Sequence, residues 1–341
     1  MNNDVLQEDL QYIARYPLPY DQLRGHTVLV TGATGLIGVS LVRVLLAVGN
    51  IRVIALVRSR EKANQIYASI EQEFLEIYVA DIRDELTIEG PIDYIFHCAS
   101  ITSSKMMIEK PVETLLTSTE GTRNVLELAR RKSCSSVVYV SSMEVYGAFP
   151  NSRDVKETDL GYIDPLKVRS NYPESKRLCE NMCAAYHAEY GVPVKIARLA
   201  QTFGAGILPS ENRVFAQFAR CAIKGENIVL HTLGQSEGNY CYIRDCVTGL
   251  FTILLQGNNA EAYNVCNPAS HTTILEMAQL VAKKIADGKI EVVFDIPEEN
   301  VFGYAADTKM KMCPDKLCAL GWTPEVGLEE SYRRMISYMG A

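Results

Sequence analysis

The sequence predicts an α/β fold: a doubly wound parallel sheet with a smaller lobe drawn mostly from the C-terminal third. Three observations predict it. Apolar runs of strand length alternate with helical patterns over most of the chain. Those runs are nearly continuous rather than alternating, as strands buried on both faces must be. Three glycines spaced three apart close the first run, in "VLVTGATGLIGV" (28–39).

The elements follow in order. "HTVLVTG" (26–32) reads as a strand and "LIGVSLVRVLLAVG" (36–49) as a helix. Further strands are expected at 51–57, 73–81 and 92–100, then a long helix ending in "TRNVLELARRK" (122–132). A strand at 136–142 and a polar loop lead to the helix "YPESKRLCENMCAAYHAEYG" (172–191), with later strands at 192–200 and 262–267. After about residue 200 the rhythm breaks into a Gly-punctuated loop, a helix and a short strand. A helix at 273–286, a strand at 290–294 and a helix at 327–338 complete the pattern. We therefore expect an N-terminal appendage over 1–24, with a helix at 4–15, and a dinucleotide-binding domain over 25–200 that 240–268 completes. Residues 201–239 and 269–341 are expected to form a substrate-binding lobe.

Charge and composition narrow the function. The chain has 341 residues, with 34 basic against 41 acidic side chains and a net charge of −7, which disfavours a nucleic-acid surface. "MNNDVLQEDL" lacks the basic and apolar regions of a signal peptide. The longest apolar candidate, 36–48, is interrupted by Arg43, so no membrane partner is expected. Ten cysteines include no Cys-x-x-Cys pair and five histidines are scattered, so we expect reduced thiols, no metal and a cytoplasmic location.

Phosphate can sit on the free N–H groups of a helix start only where the backbone comes close. Gly32 permits the tight turn, Gly35 admits a diphosphate, and Gly38 lets the helix pack on the strand. Thr34, Leu36 and Ile37 complete this loop. An acid that would bind the ribose 2′-OH of NAD is expected about 20 positions on. Arg58 stands there instead, followed by Arg60 and Lys62. Guanidinium suits phosphate oxygens, so NADP is favoured over NAD. Asp81, before Ile82, is placed to accept from an adenine amino group, and Ala99 lies at the end of the fourth run.

Tyr172 and Lys176 are four apart on an expected helix and share a face. A nearby ammonium and a cationic nicotinamide both favour the phenolate, so such a tyrosine can take a proton from a sugar hydroxyl. Ser142, ending its strand, would bond and orient the same hydroxyl.

Six stretches, "TGATGLIG" (31–38), "SSMEVYG" (141–147), "YPESK" (172–176), "RLAQTFG" (198–204), "YIRD" (242–245) and "LGWTP" (320–324), occur in that order. With them the chain resembles the extended short-chain dehydrogenases, specifically the nucleotide-sugar epimerase/dehydratase/decarboxylase family, over about 26–335. The resemblance implies a Rossmann domain in which Ser142, Tyr172 and Lys176 oxidise a sugar carbon, usually C4, and later reduce it again. It also implies a homodimer formed through helices near 110–132 and 172–190. Dehydratases of this family carry Asp-Glu after the reactive Ser/Thr. Met143-Glu144 stands here, which disfavours dehydration and leaves Glu144 as a candidate base. Ser100 and Thr102, in "SITSS", are expected to rim the sugar pocket, with Gln201 near the substrate diphosphate where relatives usually have Asn. Gly238 replaces a substrate-gripping Arg of many relatives, so Arg213, Arg220 or Arg244 must compensate. Ser118 replaces a usual Asn. The expected activity is 4-epimerisation of a nucleotide sugar. The alternatives are decarboxylation of the UDP-glucuronate type and an NADPH-dependent keto-sugar or carbonyl reductase.

Overall fold

The computed structural model describes residues 4–70, 73–297 and 307–340. Its centre is a sheet of seven parallel strands: β1 (Thr27–Thr31), β2 (Arg52–Val57), β3 (Leu75–Val79), β4 (Tyr94–His97), β5 (Ser136–Ser142), β6 (Val194–Leu199) and β7 (Ala262–Val265). Their order is β7-β6-β5-β4-β1-β2-β3. Val28 of β1 pairs with Val53 on one side and Tyr94 on the other. Chain order reverses between β1 and β4, and a ligand crevice opens at such a switch point.

Both faces of the sheet are covered, which explains the unbroken apolar runs. Val28, Val30, Val53, Ala55 and Val138 pack with α2 (Leu36–Val48) and α6 (Ile243–Gln256), with numbering that counts α1 (Asp4–Ala14), α3 (Pro111–Lys132), α4 (Asn171–Tyr190), α5 (Val214–Lys224) and α7 (Leu328–Met339). Leu29, Ile54, Leu56, Val137 and Ile196 face the other way, onto α3 and α4. Phe203, Phe215, Tyr240, Met277 and Tyr332 form a third apolar cluster in the smaller lobe, joining α5 and α7.

Sequence reasoning placed most elements within a few residues but assigned α6 no helix of its own. Eleven of the fourteen residues of "IRDCVTGLFTILLQ" are buried, including the polar Asp245, Thr248 and Thr252. The expected helix over 273–286 is α-helical over Ile274–Leu280 and continues as a wider π turn over Val281–Ile285. Residues 4–14 do form a helix. It packs on α2, α6 and α7, and its buried Asp9 accepts from Tyr242 Oη at 2.5 Å and Arg334 Nη2 at 2.9 Å.

Candidate active site

The cleft lies over the carboxyl ends of the strands and has a volume of about 990 Å³. At one end the turn after β1 holds Gly32, Gly35 and Gly38. Gly32 has φ of +66°, and a Cβ there would come within 2.8 Å of the Ala99 nitrogen. A Cβ at Gly38 would collide with the Gly32 carbonyl, so this glycine seats α2 on β1. A Cβ at Gly35 would meet only the Gly32 oxygen, at 3.5 Å, leaving its approach side open. Gly35 also begins α2 without any side-chain cap, so the helix's first N–H groups face the cleft. Thr34, Leu36 and Ile37 line the same end, as do Arg58, Lys62, Asp81, Ile82 and Ala99.

The turn is anchored from below. Ala99 N–H donates to Thr31 Oγ1 at 3.1 Å, and Thr31 Oγ1 bonds His97 Nδ1 at 2.8 Å. His97 Nε2 reaches Thr122 Oγ1 of α3 at 3.2 Å, and burial holds the imidazole down to about 3, hence neutral. Asp81 is held by Arg83 through Nε at 3.0 Å and Nη2 at 2.7 Å, which pulls its carboxyl down to about 2.

At the other end, β5 delivers Ser142 and the first turn of α4 delivers Tyr172 and Lys176, and all three line the cleft. Lys176 is 3% exposed and donates from Nζ to the Val140 carbonyl at 2.8 Å. Its ammonium lies 4.8 Å from the Tyr139 ring centre and 5.8 Å from that of Tyr172. Burial pushes the ammonium down. The Tyr172 phenol is pushed up to about 12, first by burial and then by the charge of Glu144, while a hydrogen bond with Ser142 pulls the other way. This is the value in the protein alone; the expected lowering rests on a bound nicotinamide as well as on Lys176. Desolvation outweighs the cations, and Lys176 directs its ammonium at a backbone carbonyl.

Glu144 lies on a short 3₁₀ turn (Met143–Tyr146), and its N–H donates to Ser142 Oγ at 3.2 Å. Its carboxylate is gripped at both oxygens by Arg169, at 3.0 and 3.1 Å. Behind the cleft, Glu180 of α4 accepts from Ser141 Oγ at 2.6 Å and takes Arg198 Nη2 at 2.7 Å. Arg198 also donates to Tyr146 Oη and the Glu157 carbonyl.

Ser100, Thr102, Gln201 and Arg213 line the cleft too. The Ser100 hydroxyl is buried with no hydrogen-bond partner. Arg213 is paired with Glu211 at 2.6 Å and stacks over Phe215. Arg244 is placed elsewhere, which corrects its expected contact with substrate. Its guanidinium lies 3.9 Å from the Tyr12 ring centre and pairs with Glu325, because α1 covers the start of α6. Arg220 donates to the Glu211 carbonyl and to Asn212, away from the cleft lining. At Gly238 the Tyr240 ring occupies the space a side chain would need, with its hydroxyl 2.6 Å from a built Cβ. Ser118 is buried on α3 and its hydroxyl has no hydrogen-bond partner. Sequence reasoning missed Arg169. Its one signal was an arginine three residues before Tyr172, nearly one helical turn upstream.

A family model described as "NAD dependent epimerase/dehydratase family" matches residues 28–266. The chain belongs to that family. It is 34% identical over 315 residues to UDP-glucuronic acid decarboxylase 1 of Danio rerio, covering 91% of this chain and 72% of that one. It is 31% identical to UDP-glucuronic acid decarboxylase 6 of Arabidopsis thaliana, covering 89% and 85%. Among solved structures, the UDP-glucose 4-epimerase of Thermotoga maritima with UDP-glucose superposes with a TM-score of 0.78 at 23% identity, over 92% of this chain and 98% of that one. The UDP-glucose 4-epimerase of Thermus thermophilus in complex with NAD gives 0.75 at 25%, over 92% and 99%. The chain is therefore an enzyme of a nucleotide-sugar-modifying, NAD-dependent family with a Rossmann-like sheet. Its glycine turn, the free N–H groups of α2 and the unpartnered Ser100 hydroxyl fit such a dinucleotide. Among the described residues no helix is long and apolar enough to cross a membrane, and no group of His, Cys, Asp and Glu is arranged to hold a metal.

Proposed function

We propose that this enzyme decarboxylates a UDP-hexuronate, of the UDP-glucuronate class, by transient oxidation at C4. One observation carries the reading: Glu144, two residues after Ser142, joins Ser142, Tyr172 and Lys176 in the cleft, with the guanidinium of Arg169 against it. A dinucleotide held at the turn of Gly32, Gly35 and Gly38 would supply hydride acceptance and return. Ser142 orients the C4 hydroxyl, and Tyr172 takes its proton as the C4–H bond gives up hydride. The resulting 4-keto sugar is a β-keto acid. Its C5–C6 bond breaks, CO2 leaves, and the electron pair is held as a C4 enolate. A proton adds at C5, and Tyr172 returns its proton to the C4 oxygen as hydride comes back. The products are CO2 and a UDP-pentose, with no net redox change.

This order reverses the one drawn from sequence, where Gly238 put 4-epimerisation first. The relatives named above support the reversal. The Tyr240 ring over Gly238 still favours epimerisation, because it removes the place of a substrate-gripping arginine. Incubating the cofactor-loaded enzyme with UDP-glucuronate tests the choice. CO2 and a UDP-pentose are expected, with no net change in nicotinamide absorbance. A UDP-hexuronate of unchanged mass would refute the reading, and stoichiometric loss of NADPH would indicate a reductase.

NADP remains our assignment over NAD, supported by Arg58 and Lys62 at the dinucleotide end of the cleft. A homodimer through α3 and α4 is proposed as well. Val112, Leu115 and Leu116 of α3 and Leu178 and Tyr190 of α4 are exposed apolar side chains on those two helices.

A further inference from the structure

The Arg169–Glu144 pair occupies a pivotal place. Glu144 follows Ser142 by two residues and Arg169 precedes Tyr172 by three, on the 3₁₀ turn (Val168–Ser170) that leads into α4. The pair thus joins the two segments whose side chains would meet the C4 hydroxyl. It is also open to a ligand, with Arg169 and Glu144 side chains 31% and 39% exposed.

Resting on the decarboxylase reading above, we propose that this pair is a latch that the substrate's own carboxylate opens. Arg169 receives the carboxylate carried on C5, and the displaced Glu144 is freed toward the sugar.

The geometry favours exchange. C5 adjoins C4, so a sugar whose C4 hydroxyl sits at Ser142 and Tyr172 carries its carboxylate into the region of Arg169. A guanidinium fork takes two carboxylate oxygens side by side, as it already does with Glu144. One carboxylate replaces another, so the number of charged contacts is preserved. A neutral hexose offers only a hydroxymethyl group and cannot compete. Lys167 lines the cleft too but offers a single ammonium rather than a fork, and two other cations there are engaged. Lys176 donates to the Val140 carbonyl, and Glu211 holds Arg213 at both Nε and Nη2 and also accepts from its backbone N–H. The latch therefore couples substrate identity to the position of Glu144.

Binding is measured by titration calorimetry on the cofactor-loaded protein in a Tyr172→Phe background, which prevents turnover. The ligands are UDP-glucuronate and UDP-glucose. Arg169→Gln should weaken UDP-glucuronate about 10-fold or more, as expected for loss of a charged pair, and leave UDP-glucose within about 2-fold. Glu144→Gln, which removes the competitor, should tighten UDP-glucuronate about 2- to 5-fold. Equal weakening of both ligands by Arg169→Gln, weaker UDP-glucuronate binding in Glu144→Gln, or discrimination by Arg213→Gln instead would each overturn the latch. If the parent protein binds UDP-glucose but not UDP-glucuronate, the decarboxylase reading falls and the latch with it. If UDP-glucuronate binds and Arg169→Gln makes no distinction, the latch alone falls.

Discussion

Arg198→Met tests the buried charges behind the cleft. The side chains of Arg198 and Glu180 are 9% and 10% exposed, and the pair joins α4 to β6 while Glu180 also holds Ser141, the neighbour of Ser142. Methionine fills much of the volume but leaves the carboxylate of Glu180 buried against one hydroxyl. Breaking such a pair by removing one partner costs about 3–5 kcal/mol. Unfolding entropy of ~2.1 cal/mol/K per residue gives about 0.7 kcal/mol/K for 341 residues, so Tm should fall by about 4–7 °C. Arg198→Met/Glu180→Leu removes both charges and should recover more than half of the loss, because the two sites are directly coupled. Thermal scans of the cofactor-free protein at pH 7 and one scan rate read both numbers. A fall below about 1 °C in the single variant, or a double variant no better than the single, would refute the claim that the carboxylate is uncompensated without Arg198.

Three further outcomes are expected. Gly35→Ala should leave Tm unchanged and weaken dinucleotide binding, since its Cβ enters open space. Gly38→Ala should cost about 1–3 kcal/mol of stability through overpacking against the Gly32 carbonyl; calorimetry and cofactor titration separate the two. Arg58→Asp should shift the ratio of NADP to NAD affinity toward NAD, read from the two dissociation constants. The last concerns pH. With the Tyr172 phenol of the protein alone raised to about 12, its ionisation in the cofactor-free protein, read as the absorbance difference from Tyr172→Phe, should appear only well above the ordinary tyrosine value of about 10. Glu144→Gln removes a charge that raises this value, so its profile should move to lower pH; an unmoved profile would deny the electrostatic contact.

What could be read from the sequence follows from local chemistry. The glycine turn, the tyrosine and lysine one helical turn apart, and the serine ending a strand are short-range patterns, and the fold brings them to one cleft. Arg244 was misassigned because "YIRD" does not reveal that Tyr12, more than two hundred residues earlier, lies under its guanidinium. Arg169 was overlooked for the converse reason, since its meaning depends on a carboxylate 25 residues away across the cleft. The burial that raises the phenol's proton affinity in the protein alone was not legible, because burial is a property of the packed structure.

The contact between Asp9 and Arg334 joins side chains 325 positions apart and lies against Tyr242, the residue just before α6. During synthesis, α1 must therefore wait for Tyr242 before its buried carboxylate finds a first partner, and for Arg334 before the clasp is complete. Late emergence of α7 makes this clasp one of the last contacts formed. A nascent chain interrupted before residue 334 would leave Asp9 bonded to Tyr242 without the charge of Arg334.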